Sequence, residues 1–494
     1  MTSAGYSRGL VAAAIACAAF VQTVSGATLT PGALFNDNMV LQRDRKVAVW
    51  GEADPGAEVT VSFAGQSVSS KADGKGAWRV DLSPMKADAT GRELRIVTSG
   101  GARAVFANVV VGEVWLCGGQ SNMTFQMWPA PRVGQHAGRE RNGYYDVWLT
   151  NEPDIRGVQV PQVWSAEPKG LSRQRWIPFT PGATGNFSGA AFHYAIRLHQ
   201  ALRIPIGVVV SAWGGTRIEP WTPACGFEKV ASLKDLAARP VRLPKDGKTS
   251  GSQPGCHQQP RALYNAMIHP LAPYAFRGAI WYQGESNRGD WKRYYDMLRA
   301  LHQGWSEKFE NPDMPFFLVQ IAPYGYAAED KDDGSTEIRE EMERFAAEEK
   351  NCGLAVISDV GEIDNIHPGD KCTVGTRLAA LALNRIYGRK ELVCDAPKLA
   401  SVSPVQNGKV TLAFSNVRAW VMNGIQPLRF EFADAAGKYV AAKSRLVGNR
   451  VELTVPGGMV PVRVTYMRKS CWFGFLKNEA GLPMGPFRAA IPAQ

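Results

Sequence analysis

The sequence predicts an α/β protein with a mainly parallel sheet, preceded and followed by β-rich modules. Short alternating segments between turns fill residues 28–110, and similar segments return after Cys394. Between them, apolar strand-like runs alternate with helical segments. Alternation of apolar and polar residues between closely spaced turns is typical of a β-sandwich. Strands that alternate with helices are typical of a parallel sheet.

These changes of pattern divide the chain into four segments. We predict a signal peptide at 1–26, an N-terminal β-sandwich at 27–108, an α/β domain at 109–394 and a C-terminal β-rich module at 395–494. A length of 494 residues suits about three folded domains.

Composition excludes several classes of protein. Hydrophobic residues make up 45% of the chain and charged residues 20%, as in ordinary globular proteins and unlike disordered or collagen-like chains. The formal net charge is +11, but the lysines and arginines are dispersed. Because nucleic-acid-binding proteins cluster their basic residues in stripes or runs, we expect no nucleic-acid partner.

The N-terminus has the pattern of an export signal. Arg8 precedes an apolar run at 10–21, which is shorter than the roughly 20 residues that span a bilayer. Small residues follow, and we expect cleavage near Gly26; an uncleaved anchor is the alternative. Export makes disulfides possible, and sequence proximity suggests the pairs Cys225/Cys256 and Cys352/Cys372. Loss of Cys17 with the signal leaves an odd number of cysteines.

Individual elements follow from the same patterns. In the N-terminal module, strands are predicted at 46–50, 58–63 and 78–82, and in the C-terminal module at 409–414, 428–432 and 450–455. In the α/β domain, buried strands are predicted at 109–117, 205–210, 277–282, 315–321 and 354–359. Helices are predicted at 188–202, 294–309 and 372–387, and the polar stretch 329–349 suggests a loop and a charged helix.

Two segments contain the residues of a nucleophilic hydrolase. Ser121 follows Gly118-Gly119 at the end of a buried strand, where a tight turn exposes a hydroxyl. In isolation, such a serine is more often part of an ordinary turn. His367 follows Asp364 by three residues, so the carboxylate can orient the imidazole that acts as base for the serine. A single histidine is more often structural.

Two further segments supply groups for stabilising an oxyanion. Trp213-Gly214-Gly215-Thr216 offers backbone N–H groups, and Gln283-Gly284-Glu285 offers an amide and a carboxylate. An oxyanion needs two or three donors. A glycine-rich turn is the simpler interpretation of each segment alone. Because ligands bind at the carboxyl ends of strands in open α/β sheets, the occurrence of all these segments at predicted strand ends favours an active site.

Other catalytic classes lack their motifs. The sequence contains neither HxxxH nor HExxH, and the acidic residues near His367 lack a regular metal-ligand spacing. It contains no GxxxxGK[ST] phosphate loop, and Gly118-Gly119 is not part of a GxGxxG motif. We therefore expect neither a metal nor another cofactor.

The chain resembles the sialate O-acetylesterases of the SGNH/GDSL hydrolase superfamily. The matching motifs are residues 111–123, 211–221, 281–287 and 364–368, with further matches at 37–42 and 481–488. The resemblance covers nearly the whole mature chain. It implies a flavodoxin-like hydrolase domain that removes O-acetyl groups from sugars without a cofactor.

The resemblance also implies roles for individual residues. Ser121 is the nucleophile and His367 the base, with Asp364 as the orienting acid and Glu285 as the alternative. The Ser121 N–H, one of the two glycine N–H groups of the second segment and the Gln283 amide would form the oxyanion hole. Those two glycines, Gly214 and Gly215, remain alternatives.

We therefore expect a secreted or periplasmic serine esterase that acts on O-acetylated sialic acid, with no membrane partner after cleavage of the signal. Acetylated xylan or another glycan is the alternative substrate, and a non-catalytic glycan-binding protein is the alternative class. Arg217 and Asn122 are candidate substrate contacts. Arg217 could hold the carboxylate of sialic acid, or it could simply pair with Glu219.

Overall fold

The computed structural model describes residues 21–22, 26–128, 143–252, 254–326, 334–422 and 428–493. Most of the predicted signal peptide, including Cys17, lies outside these residues, as does the first part of the polar stretch 329–349. Across the described ranges, no helix is both long enough and apolar enough to cross a bilayer.

The N-terminal module consists of two facing sheets around a common apolar core. One sheet contains β2, β4 and β7, and the other contains β1, β3, β5, β6, β8 and the first half of β9. In β7, alternate residues Trp78, Val80 and Leu82 are buried, as expected for a strand with one solvated face. The strands are β1 (Val21–Gln22), β2 (Leu29–Pro31), β3 (Val40–Gln42), β4 (Val47–Ala53), β5 (Glu58–Phe63), β6 (Gln66–Lys71), β7 (Ala77–Leu82), β8 (Asp88–Thr98) and β9 (Arg103–Gly119).

Strand β9 crosses the predicted domain boundary at 108–109 without a break. Its first half pairs with β8, and its second half enters the central sheet. Burial alternates up to residue 108 and is continuous from 109 to 119. The change of pattern therefore marks a change in what covers the strand, and the two units share this strand.

The central sheet confirms the α/β class. Its order is β12-β10-β13-β9-β15-β16-β17, and all neighbouring pairs are parallel except the edge pair β12–β10. Each of the five predicted buried strands overlaps a strand of this sheet, although the last one, predicted at 354–359, is observed at Cys352–Ala355. The strands after β9 are β10 (Glu152–Gln159), β11 (Trp164–Ser165), β12 (Ile177–Phe179), β13 (Ile206–Ala212), β14 (Ser250–Gly251), β15 (Gly278–Tyr282), β16 (Phe316–Val319) and β17 (Cys352–Ala355).

Helices cover both faces of this sheet. The pair α3 and α8 packs on one face, and α4, α6 and α7 pack on the other. Two N-caps fix the helices of the first face: Ser188 accepts from the Ala191 N–H, and Asp370 accepts from the Thr373 N–H. The helices are α1 (Ser121–Thr124), α2 (Gly143–Leu149), α3 (Gly189–Leu202), α4 (Ala224–Glu228), α5 (Lys234–Ala237), α6 (Tyr294–Lys308), α7 (Ser335–Glu348) and α8 (Lys371–Arg385).

Short 3₁₀ and π segments lie in the connections. The 3₁₀ segments are Glu219–Trp221, Ala231–Leu233, Cys256–Gln258, His269–Leu271 and Glu285–Arg293, and Tyr264–Ile268 forms a π turn.

The C-terminal module is β-rich, as predicted. Two four-stranded sheets enclose a separate apolar core, and β20 pairs with β26. The strands are β18 (Lys398–Val402), β19 (Lys409–Ser415), β20 (Val421–Met422), β21 (Phe430–Ala433), β22 (Tyr439–Ala441), β23 (Lys443–Val447), β24 (Arg450–Thr454), β25 (Arg463–Tyr466), β26 (Leu476–Lys477) and β27 (Phe487–Ala490).

The two suggested disulfides are wrong. All seven cysteines of the described residues are free thiols. The Cys256 thiol contacts the Arg242 carbonyl, with Sγ–O 2.8 Å, and the Cys352 thiol lies 3.7 Å from His302 Nδ1. Proximity along the chain did not bring the paired thiols together, because each lies on a separate element with its own neighbours.

Candidate active site

Ser121 lies at the turn that ends the shared strand. β9 ends at Gly119, and Ser121 begins α1 half-buried at the carboxyl edge of the sheet. Gly119 has a φ of +143°, and a Cβ there would lie 2.2 Å from the Tyr282 carbonyl oxygen. Only glycine therefore lets the strand end lie against β15 and turn into Ser121.

We expect Gly119→Ala to destabilise the fold by about 3 kcal/mol, because it combines a glycine-only conformation with a backbone clash. The matched control is Gly215→Ala. Gly215 has a φ of +73° but nothing within 4 Å of its added Cβ, so about 1 kcal/mol is expected. Urea unfolding of both variants measures the difference, and equal stabilities would contradict this account of the turn.

The second segment follows β13 and packs directly against Ser121. A Cβ on Gly214 would lie 3.3 Å from the Ser121 Cβ and 3.9 Å from its backbone nitrogen. Gly215 is exposed and meets no other atom within 4 Å of such a Cβ. Of the two glycines, Gly214 is therefore the one whose backbone adjoins the serine.

Gln283 is fully buried, and its amide is engaged elsewhere. Its Nε2 donates to the Thr216 carbonyl at 3.1 Å and to Asn287 Oδ1 at 2.8 Å, while its Oε1 accepts from the Tyr294 hydroxyl at 2.8 Å. Both amide hydrogens are thus used. In this conformation, Gln283 ties the third segment to the second.

Asn122 lies beneath the serine, fully buried. Its Nδ2 donates to Glu285 Oε1 at 2.8 Å and to the Ile366 carbonyl at 3.1 Å. Its Oδ1 accepts from Lys371 Nζ at 2.8 Å. This side chain joins three sequence-distant segments under Ser121, and it presents no exposed surface to a substrate.

Glu285 is 6% exposed. Burial raises the pKa of its carboxyl, whereas the hydrogen bond from Asn122 and the charges of Lys371 and Arg288 lower that pKa. Its Oε2 makes no hydrogen bond within the described residues. The protonation state of this buried carboxyl therefore depends on Asn122, Lys371 and Arg288.

The loop that contains His367 adjoins the serine turn through Asn122. The His367 ring is half-buried, with its centroid 6.4 Å from that of the Phe125 ring. Glu362 supports the loop, because its Oε1 accepts from the Gly369 N–H and its Oε2 accepts from the Asn365 amide. Asp364 is exposed.

Arg217 pairs with two carboxylates. Its Nη2 lies 2.7 Å from Glu219 Oε1 and 2.9 Å from Asp290 Oδ2, and its Nε donates to Glu219 Oε1 at 2.9 Å. The pairing with Glu219 is the simpler of the two roles that the sequence suggests for Arg217. Its guanidinium therefore supports the second segment in this conformation.

The structure thus brings together Ser121, Gly214 and the His367 loop at the carboxyl ends of β9, β13 and β15. A hydroxyl beside the backbone of a glycine-rich turn and an imidazole loop is suited to attack on an ester carbonyl. The sequence pattern does not single out Lys371, because a lysine that begins a helix resembles a surface residue.

Comparison with known proteins identifies the relatives of this chain. The family model described as "Carbohydrate esterase, sialic acid-specific acetylesterase" matches residues 111–384. Human sialate O-acetylesterase is 31% identical over 399 residues, which cover 73% of this chain and 72% of the human protein. The mouse protein of the same name is 30% identical over 437 residues, covering 77% of this chain and 78% of the mouse protein.

A solved structure is similar over nearly the whole chain. The crystal structure of a carbohydrate acetylesterase from Xanthomonas citri has a TM-score of 0.81 and 32% identity, and the alignment covers 93% of this chain and 99% of that chain. The range matched by the family model contains Ser121, Gly214, Glu285 and His367. The resemblance stated from the sequence motifs is confirmed: the chain belongs to the sialic acid-specific acetylesterase family of carbohydrate esterases.

Proposed function

We propose that this ester hydrolase removes O-acetyl groups from sialic acids, with Ser121 as the nucleophile and His367 as the base. The observation that carries the proposal is the packing of the Gly214 backbone against Ser121. A Cβ added to Gly214 would lie 3.3 Å from the Ser121 Cβ. The hydrogen bond from Asn122 to the Ile366 carbonyl places the histidine loop beside the same turn.

In the proposed reaction, Ser121 Oγ attacks the acetyl carbonyl carbon while His367 takes the hydroxyl proton. The oxyanion forms against the N–H groups of Ser121 and Gly214. When the tetrahedral intermediate collapses, His367 protonates the departing sugar oxygen. Water, activated by His367, then attacks the acetyl-serine and releases acetate. These steps use no cofactor.

We assign Gln283 a supporting role in this reaction. A third oxyanion donor at Gln283 would require its amide to leave the Thr216 carbonyl and Asn287, which it contacts at 3.1 and 2.8 Å. Through these contacts it holds the second segment, and with it Gly214, in position.

The strand order supports a flavodoxin-like SGNH domain. The five strands predicted from the sequence lie in the order β13-β9-β15-β16-β17. This places the second strand first, then the first, third, fourth and fifth, which is the flavodoxin-like order. β10 and β12 extend the sheet beyond β13.

We also propose export of the chain, which is supported by the composition of residues 1–26.

For the third member of the triad, we propose Asp364. Asp364→Asn should lower kcat by about 10³–10⁴-fold, the scale for a triad acid. Glu285→Gln should have the smaller effect, because its amide oxygen can still accept from Asn122. The two isosteric variants are compared for acetate release at matched folding. A much larger loss for Glu285→Gln would reverse the assignment in favour of this buried carboxyl.

Arg217→Ala should lower activity on acetylated sialic acid and on nitrophenyl acetate by a similar factor of about tenfold. The reason is that Arg217 binds Glu219 and Asp290 and so supports the second segment; small displacements of positioned groups have effects of this size or more. The KM and kcat of both substrates are measured. A rise in KM confined to the sialic acid substrate would contradict this role and would assign the sialate carboxylate to Arg217.

A further inference from the structure

A lysine is fully buried beneath the proposed nucleophile. Lys371 begins α8 and is 0% exposed. Its Nζ donates to Asn122 Oδ1 at 2.8 Å and to the Pro368 carbonyl at 2.6 Å. The same nitrogen lies 4.4 Å from the centroid of the Phe125 ring. Burial of an ammonium group is costly unless its charge and hydrogens are satisfied, and these two acceptors and the ring face offset part of that cost.

The lysine fixes the orientation of the Asn122 amide. An ammonium group can donate but cannot accept, so the oxygen of the amide must face Lys371. The Asn122 nitrogen then faces Glu285 and the Ile366 carbonyl, to which it donates. Asn122 directly follows Ser121 in the chain, and an amide fixed on both sides restrains the turn that contains the nucleophile.

The same contacts bracket His367. Ile366 precedes this histidine, and its carbonyl accepts from Asn122. Pro368 follows the histidine, and its carbonyl accepts from Lys371. A carbonyl on each side of the base is therefore tied to one buried pair, Lys371 and Asn122.

We propose that Lys371 is a positioning residue that fixes the position of the His367 loop relative to Ser121. It acts through Asn122 on the nucleophile side and through the Pro368 carbonyl on the base side. This inference rests on the proposed function of Ser121 and His367, and it adds a residue that touches neither the substrate nor the reacting atoms.

Lys371 also acts on the charge of Glu285. The charged and titratable groups around Glu285 are Lys371 on α8, Arg288 on the following turn, Tyr282 on β15 and Tyr294 on α6. Burial raises the pKa of Glu285, and Lys371 opposes that rise. Loss of the lysine should raise this pKa further.

The test uses Lys371→Met, which keeps the aliphatic length but removes the charge and the donors. We expect kcat for nitrophenyl acetate to fall by at least about 10²-fold, with KM changed by less than about threefold, as for a loss of alignment. Lys371→Arg should recover part of the loss, since it restores a buried cation.

The matched control is Arg156→Met. Arg156 is also a buried cation, and it donates to the carbonyls of Asn38, Asn108 and Pro153. Arg156 pairs with Gly207 on β13, and Gly207 pairs with Val114 on β9. Val114 precedes Gly119 by five residues, which is about 17 Å along the strand. This control should lower the unfolding temperature without changing kcat or the pH profile of the folded fraction.

Asn122→Leu removes the oxygen that accepts the hydrogen bond from Lys371. This variant is the alternative test if Lys371→Met does not fold. It should lower kcat to a similar extent, and the two substitutions combined should be non-additive. Folded Lys371→Met or Asn122→Leu with kcat within about threefold of the wild type would overturn the inference, as would an equal kcat loss in Arg156→Met. An inactive wild type would overturn the proposed function as well, so the two failures are distinguishable.

Discussion

Ser121→Ala should lower kcat by at least about 10³-fold on nitrophenyl acetate and on acetylated sugars, because the variant lacks the oxygen that forms the acyl-enzyme. Folding should be unaffected. The hydroxyl is lost from a half-buried position at the start of α1, and neither the Gly119 turn nor the Asn122 contacts depend on it. Steady-state kinetics and a thermal unfolding curve on the same preparation measure both properties.

The matched control for this variant is Ser286→Ala. Ser286 lies in the 3₁₀ segment Glu285–Arg293 that follows the neighbouring strand β15, and its backbone N–H donates to Gln120 Oε1. Loss of its hydroxyl should leave kcat within a few-fold of the wild type. A folded Ser121→Ala variant with activity within about tenfold of the wild type would remove Ser121 from the role of nucleophile.

His367→Asn should cause a loss of the same order, at least about 10³-fold in kcat, because serine is a weak nucleophile without an adjacent base. The asparagine keeps a polar side chain of similar size, so the loop held by Glu362 should still form. The activity that remains should also lose the pH dependence that the imidazole imposes.

His257→Asn is the control for the histidine variant. His257 stacks on Trp213, with ring centroids 5.1 Å apart, and so lies near the second segment. Its replacement should change kcat much less. If His257→Asn is the more damaging of the two, the base has been assigned to the wrong histidine.

Much of the fold could be predicted because the buried strands are continuous apolar runs. β10 was missed for a physical reason. Pro153, Asp154, Arg156 and Gly157 obscure its pattern, although Arg156 is buried by donating to backbone carbonyls. The boundary at 108–109 was placed inside β9, because a change from one covered face to two resembles the start of a new strand.

The candidate site was predictable where the chemistry lies in local motifs. Ser121 and His367 each stand out by their immediate neighbours, and the glycines that follow β13 do so too. Contacts between distant segments could not be predicted. Lys371 is separated from Asn122 by 249 positions, and Asp290 is separated from Arg217 by 73 positions, so burial and pairing depend on packing that local patterns do not specify.

The most direct test of the account is acetate release by the wild type and Ser121→Ala from three substrates in parallel. These are O-acetylated sialic acid, acetylated xylo-oligosaccharide and nitrophenyl acetate. We predict release by the wild type, with the highest kcat/KM on O-acetylated sialic acid, and a loss of at least about 10³-fold in Ser121→Ala on all three. Release confined to the xylo-oligosaccharide and nitrophenyl acetate would contradict the sialate assignment. Folded wild type that releases no acetate from either sugar would contradict the proposed carbohydrate esterase activity itself.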